Sequence, residues 1–201
     1  MSLGSSDETG GHDEEIRRFR LRDAGREAAF FLPFLKPRMT LLDAGCGPGS
    51  ITYGLAMHTA PGEVVGIDLD STRIERASRD RRDAGTENIS YQVADVTNLP
   101  FEDGHFDAVF ANGLIEHLSD PDVGIEELLR VLKPGGVIGV RSPDWGVALL
   151  HPDTEPLRDS IELRNRWQRH RGGHPNIGRR LRELLLAAGF LDVNADAMAE
   201  S

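Results

Sequence analysis

Cysteine occurs once in the 201 residues, at Cys46. That excludes an intrachain disulfide and any zinc centre built on a cysteine cluster. Lysine occurs only at Lys36 and Lys133, and the other 21 of the 23 basic residues are Arg. Acidic residues outnumber basic ones by 33 to 23, a formal net charge of −10, which argues against a nucleic-acid-binding surface. No apolar run approaches the roughly 20 residues of a membrane span; the longest, Ala28 to Leu35, is interrupted by Pro33. No apolar stretch follows the start to suggest a signal peptide, and a lone cysteine suits a reducing compartment, so the expected location is cytoplasmic. What is present, 39% hydrophobic and 28% charged residues, belongs to a folded chain long enough to bury a core.

Residues 1–15 are rich in Gly, Ser, Asp and Glu and predict a disordered lead, with Met1-Ser2-Leu3 resembling a cloning remnant. Residues 16–201 are read as a single domain. Ala28, Phe31, Leu32 and Leu35 fall at i, i+3, i+4 and i+7, predicting a helix closed by Pro33 and Pro37. From Thr40 short apolar runs (41–44, 64–67, 89–93, 106–110 and 137–140) alternate with helical patterns near 51–58, 71–84, 120–132 and 157–188. Strands alternating with helices imply βαβ crossovers, hence an α/β doubly wound fold whose mainly parallel sheet is covered on both faces.

Ligands of such sheets bind beyond the carboxyl ends of the strands, and informative residues follow each run. After the first comes Asp43-Ala44-Gly45-Cys46-Gly47-Pro48-Gly49-Ser50, a G-x-G-x-G loop that lets a ligand approach the backbone. A dinucleotide fingerprint asks for G-x-G-x-x-G or A, but Ser50 holds that third place, and there is no phosphate-loop G-K-S/T. An acid at the loop's entry suits a cation better than a pyrophosphate. Asp68 ends the second run, about 20 residues on, where a carboxylate can accept from a ribose's two hydroxyls. Ala94-Asp95-Val96 follows the third run, with an acid able to accept from an adenine amino group. Asn112-Gly113-Leu114-Ile115-Glu116-His117 follows the fourth, and Lys133-Pro134-Gly135-Gly136 leads into the fifth.

The ordered series resembles the class I S-adenosylmethionine-dependent methyltransferases, in particular the type 11 group that includes ubiquinone/menaquinone-biosynthesis-like enzymes, over about Arg22 to Ala197. The resemblance implies a Rossmann-like methyltransferase fold with S-adenosyl-L-methionine as cofactor and S-adenosyl-L-homocysteine as product. It places Asp43, Gly45, Cys46, Gly47 and Gly49 around the methionine part, with Cys46 only a small loop filler. Asp68 falls at the ribose and Leu69 against the adenine, in a pocket completed by Ala94, Asp95 and Val96. Asn112 falls at the cofactor's amino group and Arg22 at its carboxylate. Lys133 to Gly136 is a family turn of structural rather than catalytic use.

Methyl transfer from a reactive donor needs orientation and exclusion of water more than a fixed triad. His117 and Asp144 are the candidate bases for an acceptor that must lose a proton. Glu116-His117 has a structural reading beside the catalytic one, as a cap to the next helix. Trp145, after the fifth strand, is expected to wall the acceptor pocket. Arg169 to His174 reads as a solvated loop rather than a metal or anion site, and no metal is expected. Members that methylate the amino groups of adenine or glutamine carry Asn/Asp-Pro-Pro-aromatic where this chain has Asn112-Gly113-Leu114-Ile115, so a small-molecule acceptor, methylated on C, O or N, is expected. The alternatives from other classes are a non-catalytic S-adenosylmethionine-binding module and a nicotinamide-dependent Rossmann enzyme, the latter disfavoured by the glycine spacing. The sixth strand is expected at Phe190 to Ala197, with no residues for a seventh. That predicts an abbreviated or truncated fold with weak or absent turnover but intact cofactor binding, and an exposed sheet edge open to self-association.

Overall fold

The structure, a computed structural model, describes residues 23–198. The expected disordered lead and Arg22 lie outside the described residues. The described chain begins with α1 (Ala24–Glu27) and a 3-10 turn (Leu32–Phe34). It continues through β1 (Leu41–Ala44), α2 (Ser50–Thr59), β2 (Val64–Asp68), α3 (Ser71–Ala84), β3 (Ile89–Val93) and β4 (Phe106–Asn112). After a 3-10 turn (Ile115–His117) come α4 (Pro121–Val131), β5 (Leu132–Arg141), α5 (Glu155–His170) and α6 (Leu181–Ala188).

The five strands form one all-parallel sheet in the order β3-β2-β1-β4-β5. Adjacent residues point to opposite faces of a strand, and here both faces are covered. Leu41, Val64, Ala108 and Phe110 pack with Leu55 and Ala56 of α2 and with Ala24, Ala28 and Phe31. Leu42, Val65, Val109 and Ala111 pack with Ile125 and Leu128 of α4 and Leu184 and Leu185 of α6. Two-sided burial is why the central strands β1, β2 and β4 read as mainly apolar runs. Sheet order reverses between β1 and β4, so the loops after these two strands diverge and open a crevice.

Helix starts follow their caps. The Asp70 side chain accepts from the N–H groups of Thr72 and Arg73 at α3. Asp120 accepts from Val123 N–H at α4, where Pro121 takes the first turn, whose N–H would be unpaired in any case. At the other end of the sheet Lys133 to Gly136 bulges between the Phe106–Leu132 and Ala108–Val137 pairs. Lys133 Nζ reaches Asp107 Oδ1 at 2.7 Å and Gly135 takes a φ of 78°, far from the crevice.

Three expectations are corrected. The stripe Ala28, Phe31, Leu32, Leu35 is not one helix: the chain leaves α1 at Ala28 and re-forms only a 3-10 turn containing Pro33. Its apolar side chains are still used, with Phe31 stacked on Phe110 at 5.4 Å over Gly139, where a Cβ would lie 2.6 Å from the Phe31 ring. The pattern over 157–188 is two helices, broken by Gly172 at φ 83° and by Pro175. The sixth strand over Phe190 to Ala197 does not form among the described residues. Gly189 and Asp192 are left-handed, which breaks an extended run, and β5 is one edge of the sheet, β3 the other.

Candidate functional site

The loop after β1 carries Gly45, Gly47 and Gly49 at φ values of 73°, 55° and 82°. These are left-handed conformations that glycine adopts without strain. It is stitched to β2, because Cys46 N–H donates to the Ile67 carbonyl at 2.8 Å and Gly47 N–H donates to Asp68 Oδ2 at 3.0 Å. A Cβ on Gly49 would fall 2.3 Å from the Tyr91 hydroxyl, whereas one on Gly47 would meet nothing within 4 Å. The loop is therefore packed from below at Gly49 and open at Gly47, which is the form of a cradle.

Asp68 is the acid that the cradle presents. Its Oδ1 accepts from Asp70 N–H at 3.0 Å and Arg73 lies 3.8 Å from Oδ2. Each carboxylate oxygen has a second lone pair, so two hydroxyls can still be accepted. Leu69 beside it is 71% exposed, an apolar wall at the mouth. Of the adenine-pocket residues, Asp95 is exposed and its Oδ1 accepts from both the N–H and the hydroxyl of Thr97. Ala94 is half-buried beside it, and Val96 is buried in the core beneath.

Asp43 lies under the loop, 3% exposed, with Oδ2 accepting from the Thr52 hydroxyl at 2.6 Å. Burial pushes its carboxyl up to about 7, the Thr52 hydrogen bond opposes that shift, and the Asp68 charge adds to it. Burial also raises the Cys46 thiol well above its ordinary value, which leaves no reactive thiolate and agrees with a loop-filling role.

Across the crevice Asn112 ends β4 and donates through Nδ2 to Glu27 Oε2 at 3.3 Å. Glu27 is buried and pairs with Arg141 at the end of β5. Asp43 thus lies beneath the loop and Asp68 beside it, while Asn112 and Glu27 are joined to each other at the end of β4. Thr52, Tyr91, Glu27 and Arg141 were not visible as site residues in the sequence. Only folding brings Glu27 to Arg141, 114 positions away.

The two candidate bases have different fates. His117 ends the 3-10 turn after β4 with its side chain 59% exposed. Asp144 is held by both Nε and Nη2 of Arg179, at 2.5 and 2.7 Å, and accepts from Gly146 N–H. Arg179 keeps its carboxyl below the usual range, so it is a poor proton acceptor. Trp145 lies over a cleft of about 280 Å³ between the loop after β5 and α5, with the Arg164 guanidinium 3.9 Å from its ring centre. Glu116, expected with His117 to cap the next helix, does not do so, since Asp120 caps α4. Glu116 is instead buried behind His117 and accepts from the Ser142 hydroxyl at 2.7 Å. Its carbonyl accepts from Gln168 Nε2 and His174 N–H, pinning α5 and the following turn to the end of β4. Among the described residues no group of side chains has the make-up of a metal site.

A parallel sheet of this order, with a glycine cradle after its first strand and an acid after its second, defines a Rossmann-like cofactor-binding protein. Residues 42–140 match the family model described as a methyltransferase domain, and the chain is similar to proteins named as methyltransferases. An uncharacterised methyltransferase of Schizosaccharomyces pombe is 30% identical over 87% of this chain and 64% of its own length. The chain spans roughly half to two thirds of the length of the curated relatives it matches. Among solved structures, phosphoethanolamine N-methyltransferase 2 of Haemonchus contortus, in complex with S-adenosyl-L-methionine, superimposes with a TM-score of 0.68 at 25% identity. That match covers 84% of this chain and 37% of the other. A protein described as the [4+2]-cyclase SpnF gives 0.60 at 27% identity, covering 94% of this chain and 61% of its own.

Proposed function

We propose that this chain binds S-adenosyl-L-methionine in the crevice between β1 and β4 and moves its methyl group to a small-molecule acceptor. The observation that carries the reading is the coupling of the open Gly47 backbone to Asp68, which joins a close-approach loop to a diol acceptor. The residues fit the group: a ribose needs paired acceptors, which Asp68 supplies, and a sulfonium and an ammonium gain from acids, which Asp68 and ionised Asp43 supply, with the Asn112 amide oxygen as a further acceptor. The bound cofactor would supply a methyl group already activated on a positively charged sulfur.

The chain's own residues would orient and shield. Asp68 holds the ribose end through its free lone pairs. Leu69, with Ala94 and Asp95, borders the adenine side, and Val96 supports it from the core. Gly45 to Gly49 let the backbone approach the methionine part, with Asn112 and Glu27 facing its amino group. His117 is the side chain placed to take a proton from an acceptor that loses one, and Trp145 walls the acceptor's cleft. A cytoplasmic location is supported by the single buried Cys46, and self-association through the β5 edge by its position at the end of the sheet.

Titration calorimetry with S-adenosylhomocysteine and with NAD tests the cofactor, the expected result being binding of the first alone. NAD binding in its place would overturn the reading. The likeness to a cyclase supports a second reading, in which the same crevice holds the cofactor without methyl transfer. Cofactor binding with no labelled methyl transferred to any of a broad acceptor panel would favour it.

A further inference from the structure

The net charge of −10 conceals a strong local excess of the opposite sign. From Leu163 to Arg182 the chain has no Asp or Glu, but it has seven arginines and two histidines. This run spans the second half of α5, the turn after it and the start of α6. Some of its cations are committed: Arg179 to Asp144, Arg164 to the Trp145 ring and Arg171 to the Trp167 ring. Arg169 and Arg180 have only long contacts with exposed carboxylates, 3.6 Å to Glu162 and 3.7 Å to Glu183.

These two arginines line one cleft of about 210 Å³ together with Gly173, His174 and Asn176, and no acid lines it. His174 Nε2 is buried without a hydrogen-bond partner among the described residues, a state that folded chains rarely leave unrelieved. Arg169 and Asn176 also line the adjoining cleft beneath Trp145. The backbone of His174 is joined to Glu116, the neighbour of His117, so the cationic cleft lies beside the turn that carries the candidate base.

We propose that Arg169, Arg180 and His174 form an anion subsite that holds a carboxylate or phosphate group of the acceptor. The proposal rests on the methyltransferase reading for its purpose but not for its binding chemistry. Two guanidinium forks and an unsatisfied imidazole nitrogen match the acceptor lone pairs of an oxyanion. The low density of acids around them removes the usual competitor. The rest of the acceptor would extend toward Trp145.

The test uses the full chain and two probes, inorganic phosphate and citrate, titrated by calorimetry at low salt. The double variant R169Q/R180Q is compared with R166Q/R182Q, which removes two arginines of the same run that line neither cleft. Saturable binding of at least one probe is expected, weakened about tenfold or more in R169Q/R180Q and retained in R166Q/R182Q. Binding of citrate alone assigns a carboxylate acceptor, and binding of phosphate alone assigns a phosphorylated one. Failure of both probes to bind, or equal weakening in both variants, would overturn the subsite. So would tight salt-dependent binding of an oligonucleotide that both variants lose equally, since that marks a diffuse basic surface. S-adenosylhomocysteine affinity, measured in parallel, is expected to be unchanged in R169Q/R180Q. Its absence in the unaltered protein would remove the methyltransferase reading while leaving the anion result standing.

Discussion

Thr52, in the first turns of α2, donates its hydroxyl to Asp43 at the end of β1 across 2.6 Å, and both side chains are buried. This bond ties the helix behind the glycine loop to the strand in front of it. Burial, working against that bond, leaves Asp43 as a carboxyl that charges only near pH 7. The unfolded chain releases that proton near 3.8. The folded state therefore gains stability from Asp43 at low pH and loses it as pH rises toward 7.

Asp43→Asn should remove that dependence. Between pH 4 and 7 the unaltered protein is expected to lose about 1.4 kcal/mol per pH unit relative to the variant, read by urea denaturation at several pH values. A cationic ligand favours the charged carboxylate, so S-adenosylmethionine affinity should rise from pH 6 to 8 in the unaltered protein and stay level in Asp43→Asn. Parallel curves for the two proteins would refute the assignment.

Asp68→Ala removes both the proposed ribose acceptor and the partner of the Gly47 N–H. An expected loss of about 100-fold in S-adenosylhomocysteine affinity follows from losing charge-assisted hydrogen bonds. Calorimetry would measure it, and unchanged tight binding would remove Asp68 from the site.

Gly49→Ala and Gly47→Ala separate packing from binding. The Gly49 Cβ would collide with Tyr91 at a left-handed φ, so the expected cost is about 2–3 kcal/mol of stability. At Gly47 there is open space, and the cost should be about 1 kcal/mol with a larger fall in cofactor affinity. Thermal melts with and without S-adenosylhomocysteine distinguish the two, because only the Gly47 variant should lose most of the ligand-induced rise in Tm.

For an acceptor that loses a proton, His117→Ala is expected to lower kcat about 100-fold. Asp144→Asn should change it by only a few-fold, since Arg179 already holds that carboxylate in a pair. A larger loss for Asp144→Asn, together with a shifted pH profile, would reverse the two roles.

The sheet was legible because its central strands β1, β2 and β4 are buried on both faces, so Leu41-Leu42, Val64-Val65 and Phe106 to Phe110 show as apolar runs whatever surrounds them. The cradle was legible because three glycines within five residues, followed by an acid 19 positions after the last, leave few other uses. The helix expected at Ala28 to Leu35 was misread because the same apolar spacing also serves a turn whose side chains land on Phe110 and Gly139. Glu116 was expected to cap the next helix because its true partners Ser142, Gln168 and His174 lie 26 to 58 positions away.

The sequence by itself determined the alternation of strands and helices from β1 to β5, the positions of Gly45, Gly47, Gly49 and Asp68, and the apolar faces. All of these follow from local backbone freedom and short-range periodicity. Tertiary structure alone decided that Asp43 is buried under Thr52, that Asp144 is spent on Arg179, and that Glu27 meets Arg141 and Asn112. It also decided that the acid-free arginine run borders a cleft beside Glu116. Charge state and availability depend on which distant group lies within a few ångströms, and no local pattern encodes that distance.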